Sequence, residues 1–110
     1  MKLFTKALLK EIPTLDETAE LGIDKSIVYA KFFSPVGAGT WYITAYDPIH
    51  NEAFGYVNLG DSDMAELGYI PMGELESLRL PFGLKIERDM HFTKTPLKQV
   101  MDTIQGGGHI

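Results

Sequence analysis

The chain predicts an α+β domain, an antiparallel β-meander of four to five strands with an N-terminal and a C-terminal helix packed on it. Segments rich in β-branched and aromatic residues follow one another from Ile27 to Met72. The links between them are too short for a parallel crossover. Segments of helical period stand before and after this run, the arrangement of an α+β chain. At 110 residues the length suits one domain. Residues 1–105 are expected to form it and 106–110 (GGGHI) to be a flexible tail.

The elements follow in order. "TKALLKEIPTL" opens as a helix with Thr5 as N-cap, Leu3, Phe4, Leu8, Leu9 and Ile12 near helical spacing, and Pro13 as the stop. The acidic stretch Thr14–Ser26 reads as loop, with a short helical turn over Asp16–Leu21. Strands are predicted over Ile27–Phe33, Thr40–Asp47, Phe54–Leu59 and Leu67–Met72. The first two are joined by the hairpin loop "SPVGAG", and Gly55 marks a bend or a close backbone approach. "MGELESLRL" turns to helical period and ends at Pro81 and Gly83. "LKIERDMHF" (Leu84–Phe92) alternates: Leu84, Ile86, Arg88, Met90 and Phe92 on one face, Lys85, Glu87, Asp89 and His91 on the other. "TPLKQVMDTI" closes as an amphipathic helix with Thr95 as N-cap, Pro96 in the first turn, and Leu97, Val100, Met101 and Ile104 inward.

Composition narrows the function. Hydrophobic residues make up 45% and aromatics 11%, enough for a core. The lack of cysteine excludes disulfides, zinc-thiolate sites and thiol nucleophiles. No apolar run approaches the roughly 20 residues of a membrane span, and Lys6, Lys10 and Glu11 interrupt the start where a signal peptide needs an apolar centre. A cytoplasmic protein is expected. The net charge of −5 opposes a phosphate backbone, so no direct nucleic-acid binding is expected.

The polar candidates are few. Alternation would aim Glu87, Asp89 and His91 the same way, a row able to hold a divalent metal or move protons; the wet face of a one-sided strand explains it more simply. Arg88 interrupts the apolar face, so it is expected to pair with a carboxylate, Asp47 first and Glu74 or Glu76 next, with reach to the sheet's rim or the holding of an anion as the alternatives. Lys31 sits in an apolar strand, which suits a desolvated nucleophile or, more simply, a lysine at a sheet edge. His50, His91 and His109 show no metal spacing, no serine stands in a nucleophile motif, and neither metal nor cofactor is called for. Among the aromatics, alternation would turn Trp41, Ile43 and Ala45 one way and Tyr42, Thr44 and Tyr46 the other. The hairpin is therefore first a fold element and second a recognition surface.

The blocks "KFFSPVGAGTWYITAYDP", "FGYVNLGD", "AELGYIPMGELESLR" and "LPFGLKIERDMHF" resemble, in this order, the bacterial family known as domain of unknown function 2958. The resemblance covers roughly residues 1–100. It implies a stand-alone cytoplasmic protein, often encoded on mobile elements near antirestriction and conjugation genes, and it brings no activity. Carried over, the pattern singles out Lys31, Ser34, Pro35, Trp41, Tyr42, Tyr46, Asp47, Gly68, Tyr69, Glu74, Glu76, Glu87, Arg88 and Asp89.

The leading expectation is a non-catalytic protein-binding domain, an inhibitor or accessory that engages a host protein. Its binding residues would come from Lys31, Ser34, Trp41, Tyr42, Tyr46, Asp47, Glu87, Arg88 and Asp89. The alternative is an enzyme or small-ligand binder in which Lys31, Asp47, Glu87, Arg88 and Asp89 converge on one pocket. Gathering of Asp16, Glu17, Glu20, Asp61, Asp63 and Glu66 on one surface would favour mimicry of a nucleic acid.

Overall fold

The structure, a computed structural model, describes residues 3–110. Helix α1 (Lys6–Glu11) begins where Thr5 Oγ1 accepts the Leu8 N–H at 3.2 Å, and the chain leaves it at Ile12, before Pro13. Helix α2 (Leu15–Thr18) opens with a reciprocal cap: Glu17 N–H donates to Thr14 Oγ1, and Thr14 N–H to Glu17 Oε1. Helix α3 (Gly22–Lys25) leads into β1 (Ile27–Val28), β2 (Ala30–Phe33), β3 (Thr40–Asp47), β4 (Glu52–Asn58) and β5 (Glu66–Pro71). Then come α4 (Met72–Ser77), β6 (Glu87–Arg88), β7 (Thr95–Pro96) and α5 (Leu97–Gln105). The main sheet is antiparallel with order β5-β4-β3-β2-β6, and β1 pairs with β7 in a second, two-stranded sheet. The fold is α+β with a meander at its centre, as the run of β-forming segments joined by short links predicts.

Three expectations need correction. The strand Ile27–Phe33 breaks at Tyr29: β1 faces β7 while β2 lies between β3 and β6, so Lys31 is on an interior strand rather than at an edge. The strand Leu84–Phe92 shrinks to Glu87–Arg88. Asp89 ends it, because its Oδ1 accepts the His91 N–H at 2.9 Å and its carbonyl the Phe92 N–H at 3.3 Å. Such side-chain bonding competes with a ladder, and it leaves Met90, placed inward by alternation, 70% exposed. Thr95 does not cap α5 either. Its hydroxyl donates to the Thr93 carbonyl and its backbone pairs with Val28, while the Leu97 N–H is satisfied by the Ser26 carbonyl at 2.9 Å.

The sheet is covered on both faces. Leu3, Phe4, Leu8 and Ile12 from the α1 segment, with Met72 and Leu75 of α4, bury Ala30, Phe32, Ile43, Ala53 and Ile70. Leu97, Val100 and Ile104 of α5 bury Val28, Tyr42 and Tyr56 on the other face. The parity of β3 does not survive its full length. Ile43 opposes Gly55 but Ala45 opposes Phe54, so Thr44 is an extra residue, and its hydroxyl donates to the Phe54 carbonyl at 3.1 Å. This bulge sends Tyr46 to the face opposite Tyr42, where it stacks on Phe4 at 4.0 Å between ring centroids. A two-sided core thus accounts for the aromatic hairpin.

Tyr56 is fully buried and its hydroxyl has no hydrogen-bond partner among the described residues. An unsatisfied buried hydroxyl costs about 1–3 kcal/mol. Tyr56→Phe should therefore raise stability, read as a higher urea midpoint; a midpoint below wild type would contradict the orphaned hydroxyl.

Candidate functional site

Of the residues selected from the sequence, Lys31, Arg88 and Asp89 line one pocket of about 360 Å³ with Phe33, Met90 and His91, and the others lie outside it. Lys31 is paired with Tyr42 in register, whereas Asp47 lies five residues further along β3, about 17 Å away at strand rise. Lys31, 19% exposed, donates to the main-chain oxygen of Ile110 at 2.9 Å, stands 3.9 Å from Asp89 Oδ2 and lies over the Tyr42 ring. Tyr42 donates to the same oxygen at 3.2 Å, and burial lifts its phenol above the usual 10. The glycines before it bond back to α5, with Gly107 N–H on the Ile104 carbonyl and Gly108 N–H on that of Thr103.

Arg88 lines the same pocket as Lys31 but has different partners. It donates to Thr5 Oγ1 and to Met90 Sδ, each at 3.2 Å. Among the described residues no carboxylate approaches its guanidinium within 4.0 Å, so the expected pairing with Asp47, Glu74 or Glu76 is overturned. Those carboxylates are otherwise placed: Glu76 accepts the Leu3 N–H at 2.8 Å, Asp47 holds His50, and Glu74 is exposed on α4. Arg88 reaches the solvated rim instead and needs no ion pair. The turn at Asp89 also breaks the expected row, and among the described residues no group of three His, Asp or Glu side chains is placed to hold a metal. Ser34 is half-buried where its N–H closes the hairpin loop on the Gly39 carbonyl at 3.0 Å. Trp41 is half-buried against the α1–α4 core.

Asp47 accepts the Ile49 and His50 N–H groups and bonds His50 Nδ1 at 2.6 Å. The hydrogen bond from His50 chiefly holds Asp47 below its ordinary value, and the one to Asp47 raises His50. The contribution of the pair is complete below the ordinary histidine value of 6.5 and is lost as pH rises through the elevated one. On the acid side it fades as pH falls through the depressed value of Asp47. In an NMR titration His50 should titrate above 6.5, and Asp47→Asn should bring it back down.

The surface with an unmet physical requirement is elsewhere. Strand β5 ends the sheet, and no described strand pairs with its outer side. The Met72 N–H bonds the Asn51 carbonyl at 3.0 Å, which sets the ladder phase: Ile70, Gly68 and Glu66 direct their backbone groups to β4. Leu67 and Tyr69 therefore present N–H and C=O outward, and Pro71, next in that phase, has no N–H to present. Beside this edge lies a groove of about 410 Å³ lined by Val57, Leu59, Met64, Leu67 and Tyr69, with Asp61 and Glu66 at its rim. A second pocket of about 280 Å³ shares Val57 and Tyr69 and adds Trp41, Leu75, Leu78 and Glu74. Met64 is 74% exposed and Tyr69 66%. Sequence reasoning missed this site as a unit, naming only Trp41, the family-pattern positions Gly68, Tyr69 and Glu74, and Asp61 and Glu66 of the acidic set. The proline inside "ELGYIP", which restricts a strand to an edge, was the available signal.

Fold and edge together define a class: a small α+β domain whose antiparallel sheet is held between helices and ends in an open strand with an apolar, acid-rimmed groove. The chain belongs to the family described as Protein of unknown function (DUF2958), whose model matches residues 3–110. Comparison with curated proteins and with solved structures gave no match. Among the described residues no helix is long and apolar enough to cross a membrane.

Proposed function

We propose that this domain is a non-catalytic protein-binding module that receives a partner along β5. The observation that carries this reading is the conjunction, at one strand, of unpaired backbone groups on Leu67 and Tyr69 with exposed apolar side chains at Leu59, Met64 and Tyr69. An exposed edge of this kind is a template for strand addition, with backbone bonds supplying affinity and flanking pockets supplying selectivity. Lys31, Arg88 and Asp89 do line one pocket of about 360 Å³, but Asp47 and Glu87 do not line it, and among the described residues Arg88 meets no carboxylate within 4.0 Å, so the five-residue catalytic cluster is not assembled. A cytoplasmic inhibitor or accessory protein of a mobile element, acting on a host protein that handles nucleic acid, suits the net charge of −5 and the carboxylates at the groove.

Affinity capture from host lysate tests the reading. Wild type and Phe82→Ser, which alters an exposed ring away from β5, should retain the same protein. Met64→Asp and Tyr69→Asp should lose it. Identical capture by all four proteins, or none by wild type, would sink the proposal.

A further inference from the structure

We infer that the occupant of the β5 edge is an extended basic segment, apolar residues alternating with Lys or Arg, which adds to the sheet as a sixth strand. This rests on the protein-binding reading of the same edge and goes on to name the chemistry of the partner. The ladder phase leaves Leu67 and Tyr69 as the residues with both backbone groups free, and Pro71 bounds the run at one end. The match is therefore short, and side chains must supply the selectivity. Gly68 lies between the two open residues, and a Cβ built there would meet nothing within 4 Å, so the sheet face beside this edge is uncrowded and has room for side chains of an added strand.

Charge then decides between occupants. The groove and its adjoining pocket are lined by Asp61, Glu66 and Glu74 and by no lysine, arginine or histidine. All three carboxylates are exposed, and none has a basic partner within 4.0 Å among the described residues. In a strand laid along β5, successive side chains alternate between the two sides. Apolar ones can enter the groove against Leu59, Met64 and Leu67, and long basic ones can bridge to the rim. A second copy of this chain would instead bring the same acidic rim to both sides of the junction, where like charges repel.

Selection from a random displayed peptide library, with the purified domain as bait, tests this directly. Wild type should enrich peptides in which Lys or Arg alternates with apolar residues. The amide shifts such a peptide causes should centre on Glu66–Pro71. The double variant Glu66→Lys/Glu74→Lys keeps Asp61 as the cap of the Asp63 N–H. It should bind that peptide at least about tenfold more weakly, the loss expected of two reversed surface ion pairs, and the wild-type affinity should fall with added salt. The wild-type selection stands by itself if the variant does not fold. Uncharged or acidic peptides bound at Glu66–Pro71 would overturn the basic partner while leaving the edge as a docking site. A concentration-dependent dimer with shifts at the same residues would assign the edge to a second copy and overturn this inference as well. Enriched peptides that shift only residues away from β5 would overturn both readings.

Discussion

Gly55→Ala should destabilise the domain by about 3 kcal/mol or more, at or beyond the top of the usual overpacking range. A Cβ at this position would lie 1.9 Å from the Tyr42 carbonyl oxygen and 2.8 Å from its carbon, both backbone atoms of the neighbouring strand. A side chain can swing away from such a contact, but a strand pinned between two others cannot. β4 is paired on both sides, to β3 and to β5. The bulge at Thr44 begins beside the same pair, so relief of the overlap would pull apart the register that places Tyr46 against Phe4. Urea denaturation checks the prediction, with Gly68→Ala as the control. Gly68 pairs with Gly55 across the ladder, yet a Cβ there meets nothing, and the substitution should stay within about 1 kcal/mol of wild type. Equal behaviour of the two variants would show that the close approach is absent.

Truncations in α5 are the second large effect. Leu97, Val100 and Ile104 are 2%, 0% and 4% exposed and cover Val28, Tyr42 and Tyr56. Each, cut to Ala, should cost about 2–5 kcal/mol, with Val100 at the lower end because it loses the fewest carbons. α5 is one short helix, and packing rather than propensity holds it. Lys98→Ala tests the other face. It breaks an exposed i,i+4 pair with Asp102 at 3.2 Å and should change stability by no more than about 0.5 kcal/mol. A Val100→Ala variant that melts like wild type would mean the helix is not docked on the sheet.

Legibility from the chain varied with how local the deciding interaction was. The Thr5 cap, the hairpin from Phe33 to Thr40, the span of β3 and the buried stripe of α5 could all be read because neighbouring residues decide them. The strand expected over Leu84–Phe92 failed for a local reason that alternation hides. Asp89 uses its carboxylate to bond the backbone two residues on, so polarity alone looked like a wet face when it was a turn. Arg88 was expected to pair because it shares parity with Ile86, but Thr5, far away in sequence, receives it at the rim. The open edge of β5 was hidden because an edge is a property of strand order, and only Pro71 hinted at it.

The amino-acid sequence by itself determined the α+β class, the antiparallel meander and the family, and it marked Gly55 as a bend or a close approach, which only the pairing with β3 resolved as the latter. These follow from period, turn chemistry, motif order and the absence of a side chain, all written along the chain. The tertiary structure alone decided which face Tyr46 serves, that Lys31 lies on an interior strand, and that β5 is left without a neighbour on its outer side. Each depends on pairing between distant segments. A single extra residue at Thr44 reverses every side chain beyond it, because strand periodicity is two. Whether a strand is an edge depends on where the rest of the chain runs, and no window of sequence contains that information.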